Sequence, residues 1–182
     1  MRRLWASGLA ARWRADKRGV AAIEFAFTVP VLLVVYLAGF EISQAMATYR
    51  KVSDTTVELA NVAAQYTTMG CLDVTSVMNA SSQIMAPYPT QNLTIVVSEI
   101  TTDNNKVATV LWSKTENCAA GLAQGSVVTL PPGLASPSTN YILVQTSYLY
   151  NPIVGGAFIG SIPMTDQIYM LPRASSSIPY TG

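Results

Sequence analysis

An apolar segment of membrane length lies near the start of the chain. Val20 to Phe40 contain a single charged residue, Glu24. A helix of this length rises about 1.5 Å per residue and spans about 30 Å, the hydrocarbon thickness of a bilayer. Pro30 removes one backbone hydrogen bond at mid-span and can kink the helix. The segment predicts a transmembrane helix over residues 20–40, and a buried core helix is disfavoured because such helices rarely run this long without a polar face.

The charges of the chain are distributed unevenly around this segment. Residues 1–19 carry a net charge of +5, and residues 20–182 carry −4. The bases before the span, and their scarcity after it, predict a cytoplasmic N-terminus and a C-terminal domain across the membrane. A basic head could bind nucleic acid, but the apolar run directly behind it favours membrane lipid as the partner. We therefore expect no nucleic-acid partner.

A cleaved secretory signal is the alternative for the same segment. The small-x-small pattern Ala45–Ala47 could accept a signal peptidase. An apolar signal core normally has about 7–15 residues, whereas this one is longer and contains a carboxylate. Cleavage there would also remove the start of a helical pattern that continues further. A mature protein that begins at Thr48 would support this alternative.

Little in the sequence points to catalysis. Histidine is absent, which excludes imidazole catalysis and His-ligated metals. No phosphate-binding glycine loop or nucleophile elbow is present. Asp103, Asn104 and Asn105 could hold a cation, but a hairpin turn explains them better. We expect no catalytic residue, no metal and no cofactor.

The sequence RGVAAIEFAFTVPVLLVV, residues 18–35, resembles the N-terminus of the TadE-like family, the minor pilins or pseudopilins of tight-adherence (Tad) pilus systems. The match consists of a base, a glycine, four small or apolar residues and an acid-aromatic pair that opens an apolar helix: Arg18, Gly19, Val20–Ile23, Glu24 and Phe25. The resemblance implies cleavage by a prepilin peptidase between Gly19 and Val20. Residues 1–19 would then be a removed leader, and Glu24 would be the fifth mature residue.

The resemblance also implies a function and a set of partners. It implies a non-catalytic minor pilin in the bacterial inner membrane, with a periplasmic domain, that contributes to pilus assembly, priming or adhesion at the pilus base or tip. Its partners would be the major and minor pilins of the same system, the prepilin peptidase and the inner-membrane assembly platform. The alternative is a membrane-tethered periplasmic binding module that never enters a filament.

Glu24 has a specific role in the resembling family. An ionisable side chain costs roughly 2.5–3.5 kcal/mol at the centre of a bilayer, so it usually has a partner. In related pilins this acid is thought to pair with the free α-amine of a neighbouring subunit. A similar pair here would join Glu24 to the amine that cleavage creates at Val20. The alternative is that Glu24 reaches the interface and is solvated there.

The helical pattern continues beyond the span. Positions at alternating spacings of three and four form a mostly apolar stripe: Ile42, Ala45, Tyr49, Val52, Thr56, Leu59, Ala63 and Tyr66. The pattern predicts a helix extension over residues 41–68 that ends at Gly70. We expect the C-terminal domain to cover the stripe, although other subunits could cover it instead.

Residues 69–182 predict an α+β domain with a small antiparallel sheet. A short helix capped by Asp73 and stopped by Pro87 comes first. The segments NLTIVVSEI and KVATVLWS flank a turn and predict a β-hairpin, and SVVTL and NYILVQTSYLY predict two more strands. Periodicity is lost from Asn151 onward, and IVGGAFIG is expected to be a packing or interaction loop.

Cys71 and Cys118 are the only cysteines of the chain. In the oxidising compartment beyond a bacterial inner membrane they can form a disulfide. Such a bond would close a loop of about 48 residues and contribute about 4 kcal/mol in the loop-entropy model. Two buried free thiols are the alternative.

Overall fold

The computed structural model describes residues 18–182, apart from the side chains of Arg18, Ala157 and Phe158. Of the basic leader expected over residues 1–19, residues 1–17 therefore lie outside the described part of the chain. The chain forms two compact units, one that ends at Ser43 and one that comprises Gln44–Gly182. A long apolar helix followed by a small antiparallel sheet domain confirms the predicted α+β class.

Three α-helices, two short 3₁₀ helices and five strands make up the described chain. The α-helices are α1 (Arg18–Ala63), α2 (Cys71–Met85) and the short α3 (Gly156–Ile159). The strands are β1 (Leu93–Thr102), β2 (Ala108–Lys114), β3 (Val127–Val128), β4 (Asn140–Tyr150) and β5 (Ile162–Met170). They form one sheet in the order β3-β2-β1-β4-β5, and every neighbouring pair is antiparallel.

The predicted hairpin is confirmed as β1 and β2. Thr102 pairs with Ala108, and the turn between them is held by the Asp103 carboxylate, which accepts the Val107 N–H at 2.8 Å. Lys106 has a φ of 64°, a left-handed conformation that closes the turn. This hydrogen bond explains why an aspartate stands at the start of the turn.

Strand β4 is covered on both faces near its start. Ile142 and Val144 lie in the main core, whereas Leu143 points to the other face and packs with Ile100 and Ala108 in a second cluster. A central strand covered on both sides needs consecutive apolar residues rather than strict alternation. The run YILV in this strand satisfies that need.

Helix α1 contributes to the core through its last turns. Val52, Leu59 and Ala63 are fully buried against the sheet, which confirms that the domain covers this part of the predicted stripe. Thr56 adds a polar contact, because its hydroxyl lies 2.5 Å from that of Thr146 in β4. The domain does not cover the stripe along its whole length, since Tyr49 is exposed, and cover of that part by other subunits stays a prediction.

The predicted end of this helix is wrong. Helix α1 ends at Ala63 rather than near Tyr66 or residue 68, and its last turn tightens where Tyr66 N–H reaches Ala63 O. The Ala64 carbonyl, just after the helix end, accepts a hydrogen bond from the Arg173 N–H at 2.8 Å. The Arg173 guanidinium also donates to the Asn61 side chain. A distant part of the chain thus caps the helix.

Gly70 begins the next helix instead of terminating the first one. It is the N-cap of α2 with an extended backbone, φ −104° and ψ 179°. Its N–H donates to the Asp73 carboxylate at 2.8 Å. Asp73 therefore caps the helix from the third helical position rather than from the N-cap position that the sequence suggested. Helix α2 ends at Met85, just before Pro87, as predicted.

The sheet has one strand more than the sequence predicted. Strand β5 pairs with β4, with Ile162 opposite Tyr150 at one end and Met170 opposite Ile142 at the other. No strand was predicted after Asn151. Strand β5 lies at the sheet edge, where burial does not alternate and Pro163 is tolerated. The predicted strand SVVTL shrinks to the two residues of β3.

Candidate functional site

The residues of the predicted processing and assembly segment all lie in the first turns of α1. Helix α1 is described from Arg18 onward, so the Gly19–Val20 peptide lies in its first described turn. Val20, Glu24 and Phe25 are exposed in the single chain. Since successive helical residues are rotated by about 100°, Val20 and Glu24 share one face and are separated by a rise of about 6 Å. The helix thus brings these two positions together.

The helix around Glu24 is held by a side chain one turn further on. The Thr28 hydroxyl donates to the Glu24 carbonyl at 2.7 Å. Helix α1 continues through Pro30, which cannot donate a backbone hydrogen bond to the preceding turn. The Glu24 backbone is therefore fixed, while its carboxylate lies at an exposed position available to an external cation.

Gly19 has no steric requirement for glycine. A Cβ built at this position meets nothing within 4 Å. Packing inside the described chain therefore does not explain why glycine stands here.

By length and composition, α1 is a candidate membrane span, and it is the one such helix among residues 18–182. None of its most apolar part is buried in the isolated chain. An exposed apolar surface of this extent marks a membrane or protein contact.

The two cysteines form a disulfide in the domain unit. Cys71 and Cys118 are bonded, with their Cα atoms 5.5 Å apart. Cys71 opens α2, and Cys118 ends a short 3₁₀ segment, Glu116–Cys118, in the loop after β2. The bond therefore ties the start of α2 to the end of the hairpin.

Glu99, a buried carboxylate within the predicted strand NLTIVVSEI, was not among the predicted site residues. Its side chain is fully buried and accepts three hydrogen bonds: from the Ile178 N–H at 2.7 Å, the Ser177 hydroxyl at 2.8 Å and the Trp112 indole at 2.9 Å. The indole N–H also reaches the Ile178 carbonyl at 2.7 Å. We call this group, Glu99, Trp112, Ser177 and Ile178, the Glu99 clasp.

The Glu99 clasp fixes the C-terminal segment on the sheet. Beyond it, the Met69 N–H donates to the Pro179 carbonyl, and the Lys114 ammonium lies 4.5 Å from the centre of the Tyr180 ring. A signal for Glu99 was present in the sequence, because Leu93, Ile95, Val97 and Glu99 alternate on the core-facing side of β1. An acid at such a position needs buried donors.

Two tyrosines in the domain have altered ionisation. Burial raises the pKa of Tyr148 above its ordinary value, and the nearby Tyr88 adds to the shift. Burial alone raises the pKa of Tyr169. Both phenols therefore stay neutral at physiological pH and act as packing groups. Among residues 18–182, no group of three or more His, Cys, Asp or Glu side chains could hold a metal ion.

These features define a class: a protein with one apolar N-terminal helix of membrane length and a disulfide-linked α+β domain. The model of the TadE-like protein family matches residues 19–61 of this chain, which confirms the resemblance found in the sequence. The TadE-like family is a family of pilus components, so this match indicates a protein related to Tad pili. No curated protein and no solved structure matches the chain.

Proposed function

We propose that this chain is a non-catalytic minor pilin, or pseudopilin, of a Tad pilus. It is inserted once in the bacterial inner membrane with its domain in the periplasm, and it is cut between Gly19 and Val20 by a prepilin peptidase. It then contributes to assembly, priming or adhesion of the pilus. The observation that carries this proposal is the family match, which begins at Gly19 and follows α1 almost to its end.

The surroundings of Gly19 support the processing step. Its glycine has no packing reason in the described chain, so recognition by an enzyme gives it a purpose. The Gly19–Val20 peptide lies in the first turn of α1 that the structure describes. Cleavage there requires this turn to unwind and present an extended backbone to the protease.

The position of Glu24 supports a role in assembly. Its carboxylate lies at an exposed helix position one turn from Val20, within an otherwise apolar surface. Cleavage places a new ammonium group at Val20. Pairing of this ammonium group with the Glu24 of a neighbouring subunit would neutralise two charges where water is scarce, and would fix the axial register between the two helices.

Processing is tested by mass spectrometry of the protein recovered from cells with and without the prepilin peptidase. We expect a chain that begins at Val20 only when the peptidase is present. Gly19→Leu should abolish cleavage, and Gly39→Leu is the matched control because Gly39 is also open and helical. A mature chain that begins at Thr48, or one that keeps residues 1–19 in the presence of the peptidase, would refute the proposal. The second result would favour the tethered binding module.

Assembly is tested with Glu24→Gln, a substitution that keeps shape and removes charge. We expect normal insertion and cleavage but impaired incorporation into pili, measured by immunoblotting of sheared filaments and cell membranes. Glu58→Gln is the matched control, because Glu58 is an exposed glutamate on the same helix beyond the apolar segment. If Glu24→Gln assembles as well as the control, the pairing role is wrong.

A further inference from the structure

One end of the domain unit carries a concentration of exposed apolar side chains. We call it the apolar end and define it by residues 44–50, 86–92 and 149–165. Six large apolar residues of these segments are exposed: Met46, Tyr49, Leu149, Ile153, Ile159 and Ile162. Ile159, for example, is 63% exposed. These side chains are not part of the core, so the fold of the domain does not explain them.

The strand register places these segments together. Tyr150 at the end of β4 pairs with Ile162 at the start of β5, and Leu93, directly after residues 86–92, pairs with Tyr148. Met46 and Tyr49 of α1 line a groove whose other wall begins at Ile162. The glycine-rich loop between β4 and β5 therefore emerges beside the first helical turns of this unit.

The apolar end is almost free of charge. Among its residues only Arg50 is charged, while Lys51 and Asp166 directly follow two of its segments. The opposite end of the sheet differs, because its hairpin turn carries Asp103 and Lys106. Exposed apolar side chains together with the base Arg50 suit a surface of apolar chains and anionic headgroups.

We propose that the apolar end docks on the membrane interface, with Ile153 and Ile159 inserted at the headgroup boundary. The proposal rests on the membrane anchoring proposed above. The domain unit begins at Gln44, four residues after Phe40, the last residue of the predicted span. Four residues reach at most about 14 Å even when fully extended, so the bilayer is always close to this end of the unit.

A lipid surface fits the apolar end better than a second protein does. The apolar end presents isoleucines on a glycine-rich loop, together with a tyrosine and an arginine, a composition typical of the membrane–water boundary. Tethering also keeps the local concentration of lipid high without any further contact.

The test uses the full chain, one copy per nanodisc, in a mixture of zwitterionic and anionic phospholipids that includes nitroxide-labelled lipid. A fluorescent probe is attached to Ile159→Cys, with the native disulfide kept intact. The matched control is Val127→Cys, which replaces an apolar residue of similar exposure, 70%, in β3 near the opposite end of the sheet. Ile153→Cys provides a second position in case the first variant does not fold.

We expect the lipid nitroxide to quench most of the emission from the Ile159 and Ile153 probes and little of the emission from the Val127 probe. Equal quenching at both ends would overturn the docking proposal while leaving the proposed function intact. Little quenching of the Ile159 and Ile153 probes, together with a change in their emission when a second copy shares the disc, would overturn it in favour of a subunit contact. Failure of the chain to enter nanodiscs would refute both the docking and the membrane anchoring.

Discussion

The Glu99 clasp predicts that a single buried carboxylate controls attachment of the C-terminal segment. Three neutral donors surround the carboxylate, and hydrogen bonds to a charged group are each worth about 1.5–3 kcal/mol. Against this stands the cost of burying a charge, which amounts to several kcal/mol. The short distances and the full burial of Glu99 lead us to expect that the three bonds prevail.

Glu99→Gln tests this balance. An amide oxygen can still accept from the Ile178 N–H and the Ser177 hydroxyl, but the amide NH₂ then faces the Trp112 indole, which keeps only its bond to the Ile178 carbonyl. We expect a loss of about 1–3 kcal/mol, from one lost bond and two weakened ones. Glu99→Ala should lose about 3–5 kcal/mol, because it also leaves a cavity and a buried N–H without a partner.

Limited trypsin digestion of the detergent-solubilised chain measures the effect. The bond after Arg173 is protected while the Arg173 N–H and guanidinium are held by Ala64 and Asn61. Opening should become about 5- to 150-fold more frequent for a loss of 1–3 kcal/mol, with a proportional rise in the release of residues 174–182. Glu116→Gln, an exposed substitution, is the control. Cleavage of Glu99→Gln at or below the wild-type rate would show that desolvation outweighs the hydrogen bonds and would refute this reasoning.

Two further predictions concern the same domain. Replacing both Cys71 and Cys118 by serine should lower the free energy of unfolding by up to about 4 kcal/mol, measured by urea titration, and a change below about 0.5 kcal/mol would contradict the loop-entropy argument. Gly121→Ala should destabilise the domain by about 1–3 kcal/mol, because an added Cβ would lie 2.8 Å from the Val96 Cγ1 atom and closer still to the Ser113 hydroxyl. Gly156→Ala, with nothing within 4 Å, is the control, and equal stability of the two variants would show that the sheet yields at Gly121.

The local signals in the sequence predicted most of the fold. Apolar periodicity predicted α1, the β1–β2 hairpin and β4, because each of these elements buries a regular face or two faces. Strand β5 was missed because an edge strand buries little and can tolerate Pro163. The end of α1 was misplaced because its capping group, Arg173, is more than a hundred residues away in the sequence.

The functional residues also divide into those that a local sequence pattern identifies and those that only the tertiary structure reveals. Glu24 and Gly19 could be found because their pattern is contained within a few residues of one helix. The Glu99 clasp could not be found in this manner, since its donors come from β2 and from the C-terminal segment, and only the tertiary fold brings them together. A glutamate at a core-facing strand position predicts a need for donors but does not identify them.

The exposed surface of the N-terminal segment decides how Glu24 should be understood. Twelve large apolar side chains between Val20 and Phe40 are exposed in the single chain. Burying each one contributes about 1.5 kcal/mol or more, so the segment as a whole gains on the order of 20 kcal/mol from lipid or from other helices. The cost of one carboxylate in a bilayer, roughly 2.5–3.5 kcal/mol, is small by comparison. Glu24 would therefore not prevent insertion, and the pairing proposed for it would favour the arrangement of neighbouring helices that supplies a cation.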